Sequence, residues 1–220
     1  MKRDISAVSL STIYLVQPGE TKWDREGRHQ GHLDSPLTPR GIEQARAAGR
    51  TLRQLLQNPQ LVCIETSPLG RAGHTAALLC AALGLDAKSL VVSPLLIEHH
   101  LGAWQGLTNA EIDAQYPGAR RVREGDKWSY VVPGGESYSR MYERAQEWLA
   151  CKRRAPVTIA VTHRMFSRIL QGAYAGLTPS ETLRRTHPQE CLYRLYDAQL
   201  EEIPVLYAGE VERGPDSLGR

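Results

Sequence analysis

Short apolar runs alternate along the chain with longer segments whose apolar positions recur every three or four residues, the two periods expected of buried strands and amphipathic helices. Thr12 to Val16 reads as the first buried strand. Thr38-Pro39 then supplies an N-cap hydroxyl and a proline at the first helical position. Ile42, Ala45, Gly49, Leu52, Leu55 and Leu56 follow at helical spacing, with a stop expected near Asn58-Pro59. Leu61 to Glu65 is a second strand, and the stretch from Thr66 to Thr75 opens a helix that Gly84 ends. Leu90-Val91-Val92 is a third short strand, and Thr108 caps a short helix toward Tyr116-Pro117. Gly134 to Ser137 precedes a helix with Tyr138, Met141, Tyr142, Ala145, Trp148 and Leu149 on one face. Val157 to Thr162 is a buried strand ending in His163, a helix runs from about Met165 to Tyr174, and Leu192 to Tyr196 is expected as the last strand. Residues 118–133 show no period; with Arg120, Arg121, Arg123, Lys127, Trp128 and Tyr130 they read as an excursion over a pocket mouth, where loops set specificity. From Gly209 onward a disordered tail is expected.

Strands separated by helices of this length predict parallel βαβ units, hence an α/β fold: a three-layer αβα sandwich on a mostly parallel sheet. No linker composition or charge block divides the 220 residues, so one domain spanning 1–220 is expected. Gln17-Pro18, Ser67 to Arg71, Glu98 and His163 each fall just past a predicted strand end. In such sheets those ends open on one crevice, so topology alone brings these residues together.

The formal net charge is only +3, with Lys and Arg scattered rather than in runs. That favours a local pocket for a small anion over a nucleic-acid surface. Lys2 and Arg3 ahead of Ile5 to Leu10 faintly suggest a signal peptide, but Asp4 and the serines interrupt it, and no stretch reaches membrane-spanning length. A soluble, cytoplasmic protein that contacts neither membrane nor nucleic acid is therefore expected. Cys63, Cys80, Cys151 and Cys191 form no Cys-x-x-Cys pair, so reduced thiols are expected, with neither metal nor cofactor. A homodimer through a sheet edge is one assembly the sequence allows.

Arg71 falls in the first turn of its helix, where free N–H groups favour an anion and a guanidinium can grip two phosphate oxygens. Glu98 is a candidate proton donor if burial raises its pKa, and His163 ends a buried strand at the crevice. The motifs that carry these residues resemble the histidine phosphatase, or phosphoglycerate mutase-like, superfamily. Its signature is matched by Tyr14-Leu15-Val16-Gln17-Pro18-Gly19-Glu20-Thr21, continuing through Arg28-His29-Gln30-Gly31 to Pro36-Leu37-Thr38. Ser67-Pro68-Leu69-x-Arg71-Ala72-x-x-Thr75, Glu98-x-x-x-Gly102-x-Trp104-x-Gly106 and Val161-Thr162-His163-Arg164 match its further motifs. The resemblance implies phosphate contact for Arg71, Arg28 and His163 and the proton-donor role for Glu98.

In that family the first signature has Arg and then His, the histidine being the nucleophile that takes the phosphoryl group. Gln17 and Pro18 stand at those two places here. Proline has neither a lone pair to attack phosphorus nor an N–H, while glutamine can donate to an anion but brings no charge. Asp24 stands where the family often has Asn, His74 where it often has Gln, and Arg164 where it has Gly. Arg164 could restore the charge missing at Gln17 or fill the pocket. The expectation is a degenerate member that binds a phosphorylated or anionic small molecule with little classical turnover. The alternative is an enzyme that uses His163, or a water activated by Glu98, in place of the missing histidine.

Overall fold

In the computed structural model, which describes residues 12–151 and 155–207, the described residues open with β1 (Thr12–Val16) and α1 (Lys22–Glu26), then α2 (Pro39–Leu55), β2 (Val62–Thr66) and α3 (Gly70–Leu83). The central part holds β3 (Val91–Val92), α4 (Asn109–Gln115), α5 (Ala119–Gly125) and α6 (Tyr138–Ala150). β4 (Val157–Val161), α7 (Arg164–Tyr174), α8 (Pro179–Arg184), β5 (Cys191–Tyr196) and β6 (Gln199–Pro204) complete it.

The six strands of the described residues lie in the order β3-β2-β4-β1-β5-β6. The β1–β4, β2–β4 and β2–β3 pairs are parallel, whereas β5 runs antiparallel to β1 and β6 to β5. Alternation along β1 builds the layers. Tyr14 and Val16 pack with Leu52, Leu79 and Leu83 of α2 and α3. Ile13 and Leu15 face the other way, toward Met141 and Trp148 of α6 and Phe166 and Ile169 of α7. The result is the α/β sandwich that the strand–helix alternation implied.

Caps account for most helix starts. Thr38 accepts from Gly41 N at 3.0 Å with Pro39 at the first position, Thr108 and Glu111 form a capping box, and Ser137 accepts from Arg140 N. Gly84 ends α3 in the left-handed conformation.

Several expectations need correction. α2 stops at Leu55, short of Asn58-Pro59. β5 is not the last strand: Asp197 and Ala198, both at positive φ, turn the chain into β6. That two-residue loop has the conformation of a tight hairpin turn, in an Asp-Ala pair that lacks the usual glycine. The stretch 118–133 contains α5 and packs on α6, with Arg123 donating to Tyr138 Oη at 3.1 Å and the Trp128 and Tyr142 rings 5.6 Å apart. The tail beyond 207 lies outside the described residues.

One close approach fixes the loop after β1 to the start of α2. A Cβ on Gly19 would meet the Gly41 carbonyl oxygen at 2.0 Å, and one on Gly41 would meet the Glu20 carbonyl oxygen at 2.1 Å. Only glycine at both places allows this backbone contact. Gly19→Ala should therefore force the loop off α2 and lower stability by about 1–3 kcal/mol in urea unfolding; unchanged stability would show that the contact is not tight.

Candidate functional site

Strand register sets the site. Val16 pairs with Val161 and Val161 with Thr66, so β1, β4 and β2 end side by side. The residues just beyond, Gln17, His163 and Ser67, consequently start from one line. Gln17, Pro18, Arg28, Arg71, Glu98, His163 and Arg164 all line one cleft of about 470 Å³ above those ends. Among the described residues that line it, none comes from 118–133. The basic excursion is thus not a wall of this cleft.

At the end of β1, Gln17 Nε2 donates to the His187 carbonyl, and the Pro18 carbonyl accepts from Gln189 Nε2 at 3.4 Å. Both residues are buried. The two substituted positions therefore hold the 187–189 segment against the cleft.

Arg71, the second residue of α3, is buried. Its Nη1 donates to the Leu33 carbonyl at 2.8 Å and to Asp34 Oδ1 at 3.0 Å, and its Nη2 to the Gly31 carbonyl at 2.8 Å. A guanidinium has five N–H groups. Its Nε–H and one Nη2–H have no partner among the described residues. Asp34 Oδ1 also accepts from Arg71 N at 3.3 Å, so this carboxylate occupies the first turn of α3.

Glu98 takes the corresponding place on α7. Its Oε1 accepts from His99 N at 2.8 Å and Phe166 N at 3.0 Å, its Oε2 from Met165 N at 3.3 Å. Burial pushes its pKa up, while these N–H groups and Arg71 pull the other way. Its loop is fixed from behind. Arg144 donates to the Leu95 and Ile97 carbonyls at 2.9 and 2.6 Å and pairs with Glu136 at 3.0 Å, and a His32 ring nitrogen lies 2.8 Å from the Glu98 carbonyl.

His163 is the N-cap residue of α7, and its Nε2 lies 2.7 Å from Ser67 Oγ. Burial, then the charges of Arg71, His32 and Arg144, hold its pKa well below the usual histidine range. Arg164 is exposed at the first position of α7 and does not fill the cleft. Arg28 is spent elsewhere: it reaches Glu26 at 3.0 Å, Glu111 at 2.7 Å and the Gly106 carbonyl at 2.8 Å.

Sequence reasoning missed His187, Asp34, Arg144 and His32. His187 is buried, with Nδ1 2.6 Å from Ser167 Oγ and Nε2 3.2 Å from the Cys191 carbonyl. No spacing marks it, because its partners lie on α7 and β5. Asp34 alone carried a signal, as a carboxylate next to the Pro-Leu-Thr stretch.

Chemically, the cleft offers a neutral imidazole, the free edge of a buried guanidinium, an exposed arginine and a raised carboxyl group. The position directly after β1 offers no nucleophile. The molecule is thus a three-layer α/β protein with a polar cleft across its parallel strand ends. The chain belongs to the histidine phosphatase superfamily (branch 1), whose sequence model matches residues 13–202. It is 32% identical over 202 residues to a probable phosphoglycerate mutase GpmB of Enterobacter sp. (strain 638), covering 90% of this chain and 89% of that one. It is 29% identical to phosphoglycerate mutase-like protein 4 of Arabidopsis thaliana, covering 92% and 87%. Among solved structures, the mycobacterial glucosyl-3-phosphoglycerate phosphatase in complex with VO3 superposes with a TM-score of 0.74 at 27% identity, covering 90% of this chain and all of that one. No helix among the described residues is long and apolar enough to cross a membrane.

Three buried histidines and the half-buried His32 predict acid sensitivity. His99 and His187 are lowered by burial to about 4, and His32 and His163 are lowered too. Between pH 6.5 and 4 the unfolded chain takes up protons that the fold refuses. The stability contributed by neutral histidines is complete above about pH 6.5 and is lost as pH falls toward 4, by roughly 3 kcal/mol for each of His99 and His187. Glu98, raised, works in the opposite direction as one carboxyl against four imidazoles. Urea unfolding at pH 7, 6, 5 and 4 should show a steep fall; a flat profile would contradict the burial of these rings.

Proposed function

We propose that this chain uses the histidine phosphatase cleft to bind a phosphorylated or otherwise anionic small molecule, with little or no phosphohistidine chemistry. The observation that carries the reading is Pro18 at the end of β1, beside a Gln17 whose amide is tied to the His187 carbonyl. A covalent phosphoryl intermediate needs an activated nucleophile, which proline cannot be. Removing a nucleophile from a catalytic unit typically leaves about 10³–10⁴ of acceleration over water from the remaining site.

Binding is supported by what remains. Arg71 keeps free N–H groups, His163 is a neutral ring at the cleft and Arg164 adds an exposed charge. The solved mycobacterial relative is also described as a complex with inorganic phosphate, at 26% identity and a TM-score of 0.68. In this reading Arg71, His163 and Arg164 contact the anion and Gln17 acts through the 187–189 segment. Arg28 was expected to join them, but its two carboxylate partners favour a structural role.

A second reading is favoured by one observation, the raised carboxyl of Glu98 in the cleft: a water activated there could displace phosphate directly, with Arg71 and Arg164 stabilising the transition state. Both oxygens of Glu98 already accept backbone N–H groups, which weakens that reading.

Thermal unfolding in millimolar inorganic phosphate and a phosphate monoester tests the binding. A ligand selective for the fold at ten times its Kd adds about 1.4 kcal/mol by mass action. The wild type should rise in Tm. Arg71→Lys, which keeps charge but loses the fork, and Arg164→Ala should both reduce the rise. No rise in the wild type would contradict the reading.

A further inference from the structure

The His163–Ser67 contact contains more information than its length. Both side chains are buried, at 2% and 1% exposure, and the 2.7 Å separation of Nε2 and Oγ leaves open which atom holds the hydrogen. The surroundings decide it. Ser67 Oγ already accepts the N–H of Leu69 at 3.3 Å, in the turn that leads from β2 into α3. Among the described residues, the only other partner of that oxygen is His163 Nε2. If the imidazole donated, the buried hydroxyl hydrogen would point at no acceptor, an arrangement that native interiors avoid.

The hydroxyl therefore donates, and Nε2 is the bare nitrogen. A neutral imidazole that is bare at Nε2 carries its hydrogen on Nδ1. Burial and the nearby charges of Arg71, His32 and Arg144 keep the ring neutral. The ring lines the cleft, and Nδ1 has no partner among the described residues.

We propose that Ser67 is a positioning residue that fixes His163 in the Nδ1–H tautomer, so that the imidazole offers the cleft a neutral hydrogen-bond donor and no lone pair. The assignment of the tautomer stands on its own; the partner of that donor, an oxyanion, rests on the anion-binding reading. In this state His163 recognises a phosphate oxygen through N–H···O, alongside the free edge of Arg71. It cannot attack phosphorus without first breaking its bond to Ser67.

The test is long-range ¹H–¹⁵N NMR of the His163 ring in the ¹⁵N-labelled full chain at neutral pH, assigned by loss of the signals in His163→Gln. The expected pattern is a protonated-type Nδ1 and an unprotonated-type Nε2. In Ser67→Ala the pattern should become mixed or invert, with phosphate binding about tenfold weaker; Ser67→Thr, which restores the hydroxyl, should recover both. A wild-type ring protonated on Nε2, or a Ser67→Ala ring with unchanged tautomer, overturns the role of Ser67. If Ser67→Ala fails to fold, the wild-type pattern alone decides. Phosphate titration separates the two ideas: a correct tautomer whose Nδ1 resonance ignores phosphate overturns the oxyanion reading and leaves the role of Ser67 intact.

Discussion

The lateral register of three parallel strands is the constraint on which the site depends. With Val16, Val161 and Thr66 abreast, the chain leaves the sheet three times along one line. A one-residue slip of β2 against β4 would turn every side chain of the slipped strand to the other face and separate His163 from Ser67. The apolar alternation that divides β1 between the two helical layers holds that register. The core therefore positions the cleft as well as stabilising the fold.

Around those strand ends, internal carboxylates occupy the places where helix starts would attract an anion. Asp34 takes the first turn of α3 together with Arg71, and Glu98 takes the first turn of α7. Asp34 ties the buried Arg71 guanidinium to α3, and Glu98 satisfies three backbone N–H groups, so these contacts hold the cleft in one arrangement. Among the groups assigned to anion contact, those left open to a ligand are one edge of the Arg71 guanidinium, the His163 imidazole and the exposed Arg164. Gln17 and Pro18 fit the same pattern, because their amide and carbonyl serve the 187–189 segment instead of the cleft.

The long periodic elements were legible because each buried face repeats several times, and caps such as Thr38-Pro39 and Ser137 marked where they start. Arg71, Glu98 and His163 were legible because each sits in a local motif at a strand end. α1 and α8 were not, since five or six residues show no period, although Thr21 with Asp24 and Thr178 with Glu181 were capping boxes in plain view. β6 was hidden because an edge strand, half exposed and carrying Glu201 and Glu202, lacks a clean alternation. The antiparallel course of β5 could not follow from helix lengths, and the environments of Arg28 and His187 depend on partners about 80 residues and 20 residues away in the chain. Tertiary contacts of that kind leave no local trace.

The central claim is that this cleft keeps the frame of a phosphate site while the position after β1 cannot carry the phosphoryl group. Hydrolysis of an aryl phosphate by the wild type and by Gln17→Arg/Pro18→His, side by side, tests it most directly. An inert wild type with turnover in the double variant is the predicted result. Turnover in the wild type that is lost in His163→Ala would contradict the account, because it would place the nucleophile on the residue assigned here as a fixed hydrogen-bond donor.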